Sequence, residues 1–204
     1  MESNRSNMLP AHPEKVTMEG KNKILGIWFF IASDVVLFSS FIGAHLGLRG
    51  STQGAPGPEE LFNLPYVALM TFILLASSMT SVLGVKAMQR NLFNQMQLWF
   101  WVTALLGVAF LVLEIREFYE FVTHEGLGFT TNAFASSFYT LLGFHGAHVT
   151  FGVLWVATLL LRSFSQGINT YTAPKFYTFS LYWHFVDVVW IFVFTLVYLM
   201  GKVG

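Results

Sequence analysis

Five stretches of this 204-residue chain are apolar for about as long as a helix needs to cross a lipid bilayer, and that fact limits the fold more than any other. A hydrocarbon core of ~30 Å takes about 20 residues of α-helix. The runs fall at 24–48, 65–87, 97–122, 134–161 and 176–200. A backbone in lipid must satisfy its own hydrogen bonds, and long apolar runs do so as helices. The expectation is an all-α integral membrane bundle of five spans, preceded by a polar tail over 1–23. Charged residues make up 11% of the chain, against about 25% in a soluble domain, so the outer surface is built for lipid. The tail has no apolar core of the kind a cleaved leader carries, and it reads as part of the mature protein.

Orientation follows from the basic residues, because short loops rich in Lys and Arg stay on the cytoplasmic side. Arg5, Lys15, Lys21, Lys23, Lys86, Arg90, Arg162 and Lys175, eight of the eleven, fall on one side of a five-span topology. Arg49 and Lys202 fall on the other, and Arg116 lies within the third span. The N-terminus is therefore expected inside and the C-terminus outside, with the loop "GSTQGAPGPEE" (50–60) outside. Net charge is zero, which gives no reason to expect a nucleic-acid partner. Cysteine is absent, which removes disulfides, thiolate metal ligands and covalent haem attachment.

The chemistry lies in the ionisable residues that sit inside the spans. Each costs about 2.5–3.5 kcal/mol on insertion scales and so needs a partner or a task. Asp34 is near the middle of the first span, His145 and His148 bracket the middle of the fourth, and Asp187 is near the middle of the fifth with His184 one turn away. Glu114, Arg116, Glu117 and Glu120 lie towards the outer end of the third. His145/His148 and His184/Asp187 are i, i+3 pairs, so each occupies one helix face. A carboxylate opposite an imidazole on another helix would satisfy both by a charge-assisted hydrogen bond. A polar lock between helices is one reading of this layer. A metal site with ligands from H-x-x-H and H-x-x-D is another, and a proton relay or lipid recognition a third. Ser39, Gly43 and Gly47, and likewise Ala76, Thr80 and Gly84, form small stripes that suit close helix approach. Arg116 and Glu120 read as a local i, i+4 ion pair, and His45 with Arg49 as interfacial.

The segments "YWHFVDVVWIFVF", "GFHGAHVTFGVLW", "ASDVVLFSSF" and "LEIREFYEF" together resemble subunit III of the haem–copper oxidases, and the likeness runs across all five spans. Within that family, "PEKVTMEGKNK" and "NTYTAPKFY" look most like the caa-type cytochrome c oxidases of Gram-positive bacteria, in the short form that lacks two further spans. The resemblance implies a non-redox subunit of the bacterial cell membrane with no cofactor of its own. Haem and copper would belong to partners, oxidase subunits I and II, with a small subunit IV beside them. It also implies phospholipid binding and support of proton uptake. Arg162 matches a position that contacts a lipid phosphate in the family, and Asp34 matches a carbodiimide-reactive acid that is commonly Glu. His184 and Asp187 would then belong to a helix-packing motif. Two other classes remain: a haem-b membrane anchor, which would need axial His in two layers, and a small proton-coupled transporter, which would often show repeats or broken helices. A quinol oxidase or nitric-oxide-reductase helper is the nearest variant of the first reading.

Overall fold

A computed structural model describes Pro10, residues 12–52, Gly57 and residues 61–203. Arg5 and most of the 50–60 loop lie outside the described residues. Five helices are long and apolar enough to cross a membrane. They are α1 (Met18–Leu48), α2 (Leu64–Gln89), α3 (Phe93–Thr123), α4 (Ala133–Gln166) and α5 (Ala173–Val193). A π-helical turn, Phe194–Leu199, and a short α6, Met200–Val203, prolong the last span.

Local chemistry sets the ends of these helices. The Thr17 hydroxyl accepts the Gly20 amide at 3.0 Å and opens α1. The carboxamide oxygen of Asn132 accepts the Ala135 amide at 2.7 Å and opens α4. Both are N-caps, supplying an acceptor to an otherwise orphan amide. Gly167, at φ +63°, closes α4 in a left-handed conformation that costs glycine nothing. All five helices begin one to six residues before the apolar runs do, because the helix stops at its caps and not where lipid gives way to headgroups. At 1.5 Å per residue, 26 to 34 residues give roughly 40–50 Å, enough to cross the core and the headgroup layers.

α2 and α3 form an antiparallel hairpin across a three-residue turn, Arg90 to Leu92, with the most extensive helix–helix contact in the molecule. α5 touches α1, α2 and α4 and lies at the centre, half of its spanning window buried against 11% for α1. Apolar area gives little drive between helices already in lipid, so tight packing matters more. The Thr80/Gly84 stripe faces α3: Thr80 hydrogen-bonds Thr103 at 2.8 Å, and a Cβ on Gly84 would sit 2.9 Å from Phe100. Gly43 and Gly47 of the other stripe have open space beside them.

Candidate functional site

The ionisable residues of the interior divide into three groups, each with different surroundings. In the first, Nε2 of His148 on α4 lies 3.3 Å from Oδ2 of Asp34 on α1. The alignment falls short of a full hydrogen bond. Nδ1 of His148 is 2.7 Å from the carbonyl of Phe144, which can only accept, so Nδ1 carries a hydrogen. Nε2 is thereby left as the nitrogen that faces Oδ2 of Asp34 across the α1–α4 seam. Phe38 lies edge-on to the ring at 5.0 Å, and the Tyr182 hydroxyl on α5 donates to the His148 carbonyl at 2.9 Å. Three helices thus fix one polar pair.

The second group is on the seam between α2 and α5. The Ser78 hydroxyl meets Nδ1 of His184 at 2.5 Å, and Ser180 lies 3.4 Å from Nε2. Ser180 bonds Ser81 at 2.9 Å. Trp183 donates to Ser77 at 2.9 Å, and Trp190 to Thr71 at 2.9 Å. Asp187 lies near Ser78, yet neither carboxyl oxygen has a hydrogen-bond partner of good geometry. His184 and Asp187 therefore face hydroxyls on α2, away from the Asp34–His148 pair. The signal that could have found this seam is the recurrence of Thr71, Ser77, Ser78 and Ser81 along one span.

The third group surrounds α4 and α3. His145 is fully buried, with neither ring nitrogen hydrogen-bonded. Its ring sits 5.0 Å from Trp190 and 5.7 Å from Phe110 in an aromatic cage. A partner carboxylate, expected from the i, i+3 pairing, is missing for His145 because the α4 turn points it at α3 and α5 while His148 points at α1. Glu114 is buried and packs on the backbone of Gly146, so close that a Cβ there would lie 2.5 Å from its Oε2. Glu117, one turn on, accepts the Tyr198 hydroxyl at 2.8 Å. Arg116 and Glu120 form the local ion pair the spacing predicts, at 3.1 Å.

His45 lies on the seam between α1 and α4. It is buried, 3.0 Å from the Ser137 hydroxyl and 5.6 Å from the Phe134 ring, because the first turns of α4 cover it. Arg49 reaches instead to the Met200 carbonyl at 3.1 Å. Arg162 is exposed in the last turns of α4 and lines a cavity of about 260 Å³ together with Lys175, Trp155, Gln166 and Thr172. Trp155 and Lys175 also line a neighbouring cavity of about 330 Å³, with Lys23, Ile27 and Phe30. Two cations over an aromatic and apolar wall suit an amphiphilic anion. Sequence reasoning used Lys175 for topology and did not place it beside Arg162.

The layer does not bring a metal's ligands together. Among the described residues no three His, Asp or Glu side chains are placed to hold one ion. Asp34 engages His148, His184 turns to serines, and His145 is enclosed by rings. This distribution, one polar pair or cluster per helix seam across five spans, is a packing pattern on which the chain can be compared with others. The family described as "Cytochrome c oxidase subunit III" matches residues 3–202. The chain belongs to the cytochrome c oxidase subunit III family.

Within that family it is 57% identical over 196 residues to a protein of Bacillus sp. (strain PS3) named cytochrome c oxidase subunit 3, covering 96% of this chain and 94% of that one. It is 53% identical over 195 residues to the protein of the same name from Bacillus subtilis (strain 168), with 96% and 94% covered. A protein of Bacillus subtilis named quinol oxidase subunit 3 is 44% identical over 185 residues, covering 91% of this chain and 90% of its own length. Five apolar spanning helices and these bacterial relatives make this subunit III chain a multi-pass bacterial membrane protein.

Proposed function

We propose that this chain is the non-redox subunit III of a terminal oxidase that takes electrons from cytochrome c. In this reading it stabilises catalytic subunit I, holds phospholipid and supports proton uptake, while haem and copper reside in subunits I and II. The observation that carries it is the gap between 53–57% identity to the cytochrome c oxidase proteins and 44% to the quinol oxidase protein. The interior supports the same reading: its polar groups are spent mainly on joining helices. A haem anchor would need two layers of opposed His with free nitrogens. His148 turns Nε2 to Asp34 and Nδ1 to the Phe144 carbonyl, and His184 faces hydroxyls on α2, which favours the non-redox reading.

The N-terminus lies inside and the C-terminus outside, as the basic residues argue. Arg162, with Lys175 beside it, then faces the inner leaflet and holds the phosphate of an anionic lipid. The Asp34–His148 pair locks α1 to α4 and is not an obligatory proton donor to the oxidase. The deciding experiment is purification of the complex in mild detergent with mass spectrometry of the co-eluting chains. Subunits I and II and a small subunit IV are expected, with activity on reduced cytochrome c and all haem and copper in the other subunits. A complex that oxidises quinol and carries a subunit II without a copper site would overturn the donor. Stoichiometric haem or copper on the separated chain would overturn the non-redox role.

A further inference from the structure

Beyond that reading, one buried group has surroundings that packing alone does not explain. Glu114 is 3% exposed and its Oε1 is a fully enclosed oxygen with no hydrogen-bond partner. A carboxyl so placed needs either a proton or a cation, since an isolated carboxylate away from water is prohibitively costly. The nearest cations lie elsewhere: Arg116 is turned to Glu120 on the outer face of α3. Three residues on, and so on the same face of the helix, Glu117 stands between Glu114 and a large cavity.

That cavity measures about 840 Å³ and opens at the end of the bundle formed by the start of α2 and the end of α3. Its wall mixes apolar side chains such as Phe62 and Phe121 with Tyr66, Arg116, Glu117 and Glu120. Glu117 lines the cavity and is only 3% exposed, so it looks into both environments. Its Oε2 is held by the Tyr198 hydroxyl at 2.8 Å. Tyr198 owes that position to the π-helical turn of the last span, which turns it inwards against Phe62 at 4.6 Å and Trp190 at 6.1 Å. Such turns inside α-helices are frequent at functional positions.

We propose that Glu114 is a buried proton-binding site that exchanges with the cavity beside Arg116 through Glu117. In the exchange a proton leaves the Glu114 carboxyl and is taken up by the Glu117 carboxylate, which passes it to the cavity. The pair carries one negative charge when loaded and two when the proton has left for the cavity, and uptake reverses both steps. Tyr198 keeps Glu117 in place by donating to its Oε2. The groups that face the pair are Glu120 on α3, Tyr198 from the last span, Tyr66 from α2 and Tyr139 from α4.

The test uses the whole oxidase complex in sealed proteoliposomes, with their orientation set by impermeant labelling of Ser51→Cys, on the cavity side. Infrared spectra of wild type minus Glu114→Gln isolate the Glu114 carboxyl band, and Glu114→Asp, which shifts the band, serves the same subtraction if the first variant does not assemble. A protonated carboxyl band is expected whose amplitude follows pH on the cavity side alone. Glu117→Gln should slow that response at least tenfold with the final amplitude unchanged. The proposal is overturned if wild type shows no protonated band, if the band follows pH on the opposite side, or if Glu117→Gln responds as fast as wild type.

Discussion

Replacing Gly152 by Ala places one methyl group where the structure has no room for it. Gly152 on α4 and Gly107 on α3 make two notches that receive the indole of Trp183 from α5. A Cβ on Gly152 would lie 2.6 Å from Cζ3 of that indole and 3.2 Å from Cε1 of Tyr182. Carbon atoms pack best at about 3.5–4.0 Å, so the ring would have to move by about 1 Å. It has nowhere to go. A Cβ on Gly107 would already sit 2.8 Å from Cη2 on the opposite edge, and the indole nitrogen is tied to Ser77 of α2 at 2.9 Å. Overpacking of this kind costs about 1–3 kcal/mol, and displacing the indole from Ser77 adds about 1 kcal/mol. A total near 2 kcal/mol or above lowers the folded-to-unfolded ratio about thirtyfold. The assay is titration of the purified complex with a denaturing detergent, followed by tryptophan fluorescence and by retention of this chain. Gly152→Ala should release at a lower detergent fraction than wild type, whereas Gly143→Ala on the same helix, with open space around it, should not. Trp183→Phe should partly relieve Gly152→Ala, the coupling expected of groups in contact. Equal resistance of Gly152→Ala and Gly143→Ala would refute the reasoning.

Asp34→Asn keeps the shape of the pair with His148 and should retain most activity and proton pumping, while Asp34→Leu strands Nε2 at a cost of about 1–3 kcal/mol and should loosen the subunit and shorten the enzyme's working life; loss of pumping in Asp34→Asn with normal subunit content would make the acid a relay. Arg162→Ala should lower the phospholipid retained in native mass spectrometry, and Arg162→Ala with Lys175→Ala should lower it further; unchanged lipid would leave Arg162 as a snorkelling anchor. Ser165→Cys, in a chain free of other cysteines, should react with an impermeant reagent only from the cytoplasmic side, and labelling from outside intact cells would reverse the topology.

The spans, their number and their all-helical character were legible along the chain, because a bilayer imposes a length and a composition that single residues report. So was the ion pair of Arg116 and Glu120, since both partners are on one helix and its pitch fixes their separation. The choice of partners across helices was not. His145 and His148 are three residues apart, yet one lies in a cage of rings and the other beside Asp34, because α3, α5 and α1 approach α4 from different sides. Nor was the cover over His45, which comes from the start of α4, some ninety residues away. The π-helical turn that aims Tyr198 at Glu117 has no proline or glycine to announce it. Apolarity and helical period are properties of the chain, and they determined which segments enter the membrane. Helix rotation and neighbourhood are set by how the small residues let backbones approach, and only the packed bundle decided which buried acid meets a histidine, which meets a tyrosine and which has an enclosed oxygen without a hydrogen bond.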